Sequence, residues 1–162
     1  MVNDKAIVYI IDKITEINGV PCKKTLQKIV YLIEEKKIDL GCNYGIHFYG
    51  PYSADLDYAV RNLFDEGVLK IDYTPMSHSI SVLDCSAVGN YSNDTIDNII
   101  NSFGKDSPSD LELVATALYV YNSLKDREKI KAGVKKLKGT KYSDSQIEEA
   151  ITKLEDNNYI TA

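Results

Sequence analysis

The sequence predicts a mainly α, α+β fold: a winged helix-turn-helix-like N-terminal module with a small β-hairpin, followed by a helical C-terminal module. Three observations carry this reading. Apolar residues recur at three-and-four spacing in one segment after another, the mark of helices with one buried face. Two alternating runs, Val68 to Tyr73 and Ser79 to Leu83, flank Thr74-Pro75-Met76-Ser77-His78 and read as a hairpin directly after a third helix. A further set of capped helices, ending before a full wing, begins past Pro108. The expected divisions are a winged-helix-like module over 1–88, a connector with a short helix over 89–108, and a helix-turn-helix-like module over 109–162.

The first helix rests on Ile7, Ile10, Ile11, Ile14 and Ile17, with Asn3 as its cap and Gly19 as its stop. At ~1.5–3 kcal/mol for each large aliphatic side chain buried, this stripe is explained by packing alone. After Pro21, Thr25 to Lys37 reads as a second helix with Leu26, Ile29, Val30, Leu32 and Ile33 inside, and with Lys23, Lys24 and Lys28 facing outward at its start. Gly41 to Gly45 is a turn, Ile46 to Tyr49 an edge strand, and Gly50-Pro51 a second turn leading to Ser53, the cap of the third helix. That helix turns Leu56, Ala59, Val60, Leu63 and Phe64 inward and ends at Gly67.

Ile96, Ile99, Ile100 and Phe103 mark the connecting helix, stopped by Gly104. Ser109-Asp110-Leu111-Glu112 reads as a capping box opening a long apolar helix through Tyr121, and Asp126 to Leu137 as the next helix. Ser143 to Gln146 is a second capping box, followed by Ile147, Ala150, Ile151 and Leu154. Tyr52-Ser53 with Leu56, Ala59, Val60 and Leu63 is echoed by Tyr142-Ser143 with Ile147, Ala150, Ile151 and Leu154, a shared supersecondary pattern in the two halves.

Composition bounds the function. With 44% hydrophobic and 27% charged residues the chain is an ordinary folding one, not a disordered one. No apolar run approaches a membrane span, and the start lacks the features of a secretory signal, so the expected address is the cytoplasm, with no membrane partner. Cys22, Cys42 and Cys85 form no Cys-x-x-Cys pattern, and His47 and His78 are too scattered to join them, so neither a disulfide framework nor a metal site is expected. The net charge is −5, yet Lys125 to Lys141 holds eight basic residues against two acidic ones, leaving −11 elsewhere. A polyanion contact would centre there, on Lys129, Lys131, Lys135, Lys136, Lys138 and Lys141.

Catalytic patterns are not found: there is no Walker loop, no Gly-x-Gly-x-x-Gly and no nucleophile elbow. The expectation is a non-enzymatic chain without a cofactor. The helix before the hairpin has Arg61 against Asp55, Asp57, Asp65 and Glu66, a poor match to a phosphate backbone. DNA binding as a winged-helix transcription regulator is therefore the second reading, behind a protein partner.

Two segments resemble a known family. Leu26-Gln27-Lys28-Ile29-Val30-Tyr31-Leu32 and Phe48-Tyr49-Gly50-Pro51-Tyr52-Ser53 are similar to the Panacea or SocA-like antitoxin domain and its YwgA-like relatives, over roughly Met1 to Leu83. Leu111 to Thr116 and the tail after Tyr142 resemble the YwgA-like branch in particular. The resemblance implies a regulatory or antitoxin-like protein whose partner is another protein, a toxin or a regulatory one. Lys28, Tyr49 and Tyr52 serve packing or binding equally well on physical grounds. The candidate partner-binding residues are accordingly Lys24, Lys28, Tyr49, Tyr52 and Arg61.

Overall fold

The computed structural model describes residues 1–161. Seven α-helices and two antiparallel hairpins occupy those residues, a mainly helical α+β arrangement. Helix α1 (Asp4–Asn18) starts where the Asn3 side chain accepts from Ala6 N at 3.1 Å, and Gly19 ends it at φ 81°. Helix α2 (Lys23–Glu34) begins two residues earlier than its apolar pattern suggests, because Cys22 takes the capping position with its sulfur 3.5 Å from Thr25 N.

Strands β1 (Gly45–His47) and β2 (Gly50–Tyr52) form the first hairpin, with Gly45 opposite Tyr52 and His47 opposite Gly50. This corrects the sequence reading. Phe48 and Tyr49 are the tip rather than strand, and Gly50-Pro51 is paired strand rather than turn. Gly50 has φ 93°, a left-handed geometry that lets a two-residue tip close and that an L side chain resists.

Ser53 caps α3 (Ala54–Asp65), its hydroxyl accepting from Leu56 N at 3.2 Å. Gln27 of α2 holds the same residue from both sides, donating to Ser53 O and accepting from Ser53 N, each at 2.9 Å. Ser53 is fully buried, so the cap has no water to replace it. Replacing Ser53 by Ala should therefore cost about 2 kcal/mol, the upper end of the range for lost caps, measured by denaturant unfolding. Phe64, expected inside, is 39% exposed, because the helix's inner stripe is filled by Leu56, Ala59, Val60 and Leu63.

Strands β3 (Leu69–Tyr73) and β4 (His78–Val82) form the second hairpin, closed by Thr74 N donating to Ser77 O at 3.0 Å. Its β4 edge is pinned to the start of α2, with Ile80 N donating to Pro21 O at 2.9 Å and Cys22 bridging Ser79. Helix α4 (Asp94–Phe103) is capped by Asn93.

Helix α5 (Pro108–Leu124) is capped by Ser107 with Pro108 in its first turn, so the expected box at Ser109 does not form and Glu112 is left for another purpose. Every residue from Leu111 to Leu118 is buried, which makes α5 the central rod of the molecule. The helix expected from Asp126 is split into a 3-10 turn (Arg127–Lys129) and α6 (Ile130–Lys138), because Asp126 caps the turn by accepting from Glu128 N. Helix α7 (Asp144–Asp156) opens with the expected reciprocal box between Ser143 and Gln146. Helices α2, α6 and α7 and strand β2 pack on α5, and one hydrophobic core runs through both halves. No helix among the described residues is long and apolar enough to cross a membrane.

Candidate functional site

Glu112 is the organising residue, with no solvent exposure at all. One carboxylate oxygen is 2.5 Å from Lys24 Nζ, and the other lies 2.8 Å from Lys141 Nζ, 3.0 Å from Lys138 Nζ and 2.9 Å from the Tyr142 hydroxyl. Burial raises the pKa of such a group, but donors from Lys141, Lys24, Lys138 and Tyr142 outweigh it and hold the carboxyl down at about 2. Glu112 is therefore a fixed negative charge at neutral pH. It gathers side chains from α2, from the end of α6 and from the entry to α7 onto one point of α5.

Lys28 lies one turn along α2 from Lys24 and, contrary to the sequence reading, does not face outward: it is 2% exposed. Helix α2 packs against both β2 and α5, and the Lys28 side chain runs inward between them to where Nζ donates to Pro51 O at 2.7 Å. Burial pushes the ammonium down to about 8, against the pull of Glu112. At pH 7 it remains charged. Three lysines thus contact one carboxylate, with Lys28 charged nearby.

Above them the two hairpin tips frame a groove of about 660 Å³. Cys22 to Lys24, Gln27 and Lys28 form one wall with Pro108; Tyr49 and Tyr52 come from the first hairpin and Thr74 to His78 from the second. Tyr49 stands with Lys24 Nζ 5.3 Å from its ring centre, and Phe48 meets Tyr49 edge-on at 5.4 Å. Across the first tip a smaller hollow of about 270 Å³ is bounded by Ile46, Leu137, Lys138 and Lys141. Lys138 Nζ donates to Phe48 O at 2.7 Å, tying the tip to α6.

No family model matches the sequence. The chain is similar to a Bacillus subtilis (strain 168) protein described as uncharacterized protein YwgA, with 31% identity over 143 residues, 83% of this chain and 85% of the relative. The chain belongs to the YwgA family.

In this YwgA-family chain the residues singled out from sequence fall into three groups. Lys24, Lys28, Tyr49 and Tyr52 come together at the groove. Arg61 does not line it; this exposed residue sits 3.9 Å from Asp57, which also takes Lys23 at 2.7 Å. The basic stretch is dispersed rather than forming one anion-binding face. Lys138 and Lys141 turn inward to Glu112, Lys131 pairs with Glu148 at 2.6 Å, and Lys135 pairs with Asp144. Lys129 and Lys136 are exposed, with no ion pair among the described residues.

Glu112 was not among the site residues expected from sequence. A signal was present: it is one acidic residue inside Leu111-Glu112-Leu113-Val114-Ala115, a stretch otherwise apolar. A carboxylate in such a run is either exposed on a narrow stripe or buried with partners, and the adjacent capping pattern concealed the second choice.

Proposed function

We propose that this YwgA-family chain is a non-enzymatic, regulatory or antitoxin-like binding module that holds an acidic, partly apolar segment of a partner protein in the groove. One observation carries the reading: the hairpin tips place Tyr49 and Met76 at 60% and 93% exposure around a groove whose floor carries Lys24 and Lys28. Large exposed apolar side chains next to fixed positive charge form a surface that favours an apolar ligand with carboxylates. Glu112 serves this role as an anchor for the lysines rather than as an acid or base. The resemblance to Panacea or SocA-like domains would make the partner a toxin.

DNA binding as a winged-helix regulator has less support. Helix α3 and its C-cap offer exposed Asp65 and Glu66 with Arg61, and Lys131, Lys135, Lys138 and Lys141 are each already engaged with a carboxylate.

The test is a titration of the 15N-labelled chain with a short peptide of alternating Glu and Leu, alongside its Lys and Leu counterpart. The acidic peptide should give saturable shifts over Lys23 to Lys28, Phe48 to Tyr52 and Thr74 to His78. Tyr49→Phe keeps the ring over Lys24 and should bind the peptide unchanged, whereas Tyr49→Ala should weaken it about tenfold, as for the loss of an aromatic interface anchor. Equal binding of both peptides, or shifts confined to other faces, would remove the proposal.

A further inference from the structure

We propose that the floor of the groove is a specific oxyanion site, in which Lys28, supported by Lys24, binds one carboxylate or phosphoryl group of the bound segment. This rests on the groove being the binding site, and adds which chemical group it selects.

The geometry begins with an unfilled donor set. An ammonium group has three N–H donors. Lys28 Nζ gives one of them to Pro51 O, and no other acceptor meets it among the described residues. The side chain is 98% removed from solvent yet belongs to the groove lining, so its remaining donors have neither bulk water nor a protein partner.

The polar groups around it are already engaged. Gln27 is occupied by the Ser53 backbone, Lys23 by Asp57, and Glu112 by Lys24, Lys138, Lys141 and Tyr142. Lys24, Lys28, Lys138 and Lys141 against Glu112 leave a surplus of positive charge, most deeply buried at Lys28 and Lys138. A buried cation with open donors and uncompensated like-charged neighbours gains strongly from one incoming oxyanion, through charge-assisted hydrogen bonds. Surface lysines such as Lys129 and Lys136, which water satisfies, gain far less.

The experiment uses the full 15N-labelled chain with sodium phosphate and sodium acetate as probes, at constant ionic strength in chloride. Saturable shifts centred on Lys24 to Lys28 and Pro51-adjacent amides are expected. Lys28→Met, which keeps the side-chain volume but leaves Pro51 O without its donor, should fold with a somewhat lower Tm and bind the anion about tenfold more weakly or worse. Lys24→Gln, which leaves Lys138 and Lys141 on Glu112, should weaken it in the same direction and serves if Lys28→Met does not fold.

Tighter saturation by acetate assigns a carboxylate source, and tighter saturation by phosphate a phosphoryl source. Shifts that rise without saturating, that spread equally over Lys129 and Lys136, or that survive both substitutions would overturn the site. Acidic-peptide binding that persists in both variants overturns this proposal while leaving the groove reading intact; saturable anion binding at Lys28 without acidic-peptide binding does the opposite.

Discussion

Glu112→Gln is expected to destabilise the protein by about 3–5 kcal/mol, the usual cost of removing one partner from a buried ion pair. Here the substitution leaves Lys24, Lys138 and Lys141 converging on a neutral amide with no exposure. At about 2–4 °C per kcal/mol for a chain of this size, Tm should fall by about 10 °C. The same charge sets a pH window. Folded Glu112 has its pKa held at about 2, below the ordinary carboxylate value of 4.5, so its stabilisation is complete above about 4.5. It is then lost as pH falls toward 2. Roughly 3 kcal/mol of stability should disappear across that interval in the parent, at about 1.4 kcal/mol per pKa unit, and the loss should be absent from Glu112→Gln. Urea unfolding of both proteins between pH 5 and pH 2 reads this directly; parallel curves would show that Glu112 is not the buried charge described.

Gly50→Ala should be nearly as damaging, at about 2–5 kcal/mol. A left-handed residue with a Cβ costs about 1–2 kcal/mol, and forcing extra volume into a packed contact costs about 1–3 kcal/mol more. Gly50 carries both penalties, with φ 93° and with a Cβ that would stand 2.8 Å from Thr116 Oγ1 on the central helix. The hairpin is held in place on either side by Lys28 of α2, which donates to Pro51 O, and by Lys138 of α6, which donates to Phe48 O. Loss of this register would also scatter the groove, so acidic-peptide binding should fall with stability. Gly19→Ala is the control. Its φ is also positive, at 81°, but a Cβ there would meet nothing within 4 Å, so the change should cost only the backbone share.

The amphipathic helices were legible because burial follows a period that local spacing reveals. Ile7, Ile10, Ile11 and Ile14, or Ile147, Ala150, Ile151 and Leu154, need no knowledge of the rest of the chain. Caps at Asn3, Ser53 and Ser143 were legible for the same reason. Ser107 was missed because the Ser109 to Glu112 pattern satisfies the same local rule, and choosing between them requires knowing that Glu112 is needed elsewhere.

The first hairpin was hidden by its composition. Pro51 argued against a strand, and the pairing that overrules it is to β1 across a tip of only two residues. Among the site residues, Lys24, Tyr49 and Tyr52 were recognised by type, but the inward course of Lys28 and the fate of Lys138 and Lys141 depend on a carboxylate from a distant segment. Charge counted along the chain located a basic stretch; charge counted in space divided it among Glu112, Asp144 and Glu148.

The proposed occupancy of the hairpin-framed groove is by an acidic segment of a partner protein. It is tested most directly by placing a photo-activatable phenylalanine analogue at Met76 and, separately, at Leu124. Leu124 is exposed at the far end of α5, about 25 Å along the helix from the groove residue Pro108. After irradiation in the native host and digestion, mass spectrometry should find a cross-linked peptide at position 76 that is net acidic and contains apolar residues. That adduct should be absent at position 124 and lost when Lys24→Gln is added. No peptide adduct at 76, a basic or uncharged one, or nucleic acid in its place would contradict the account.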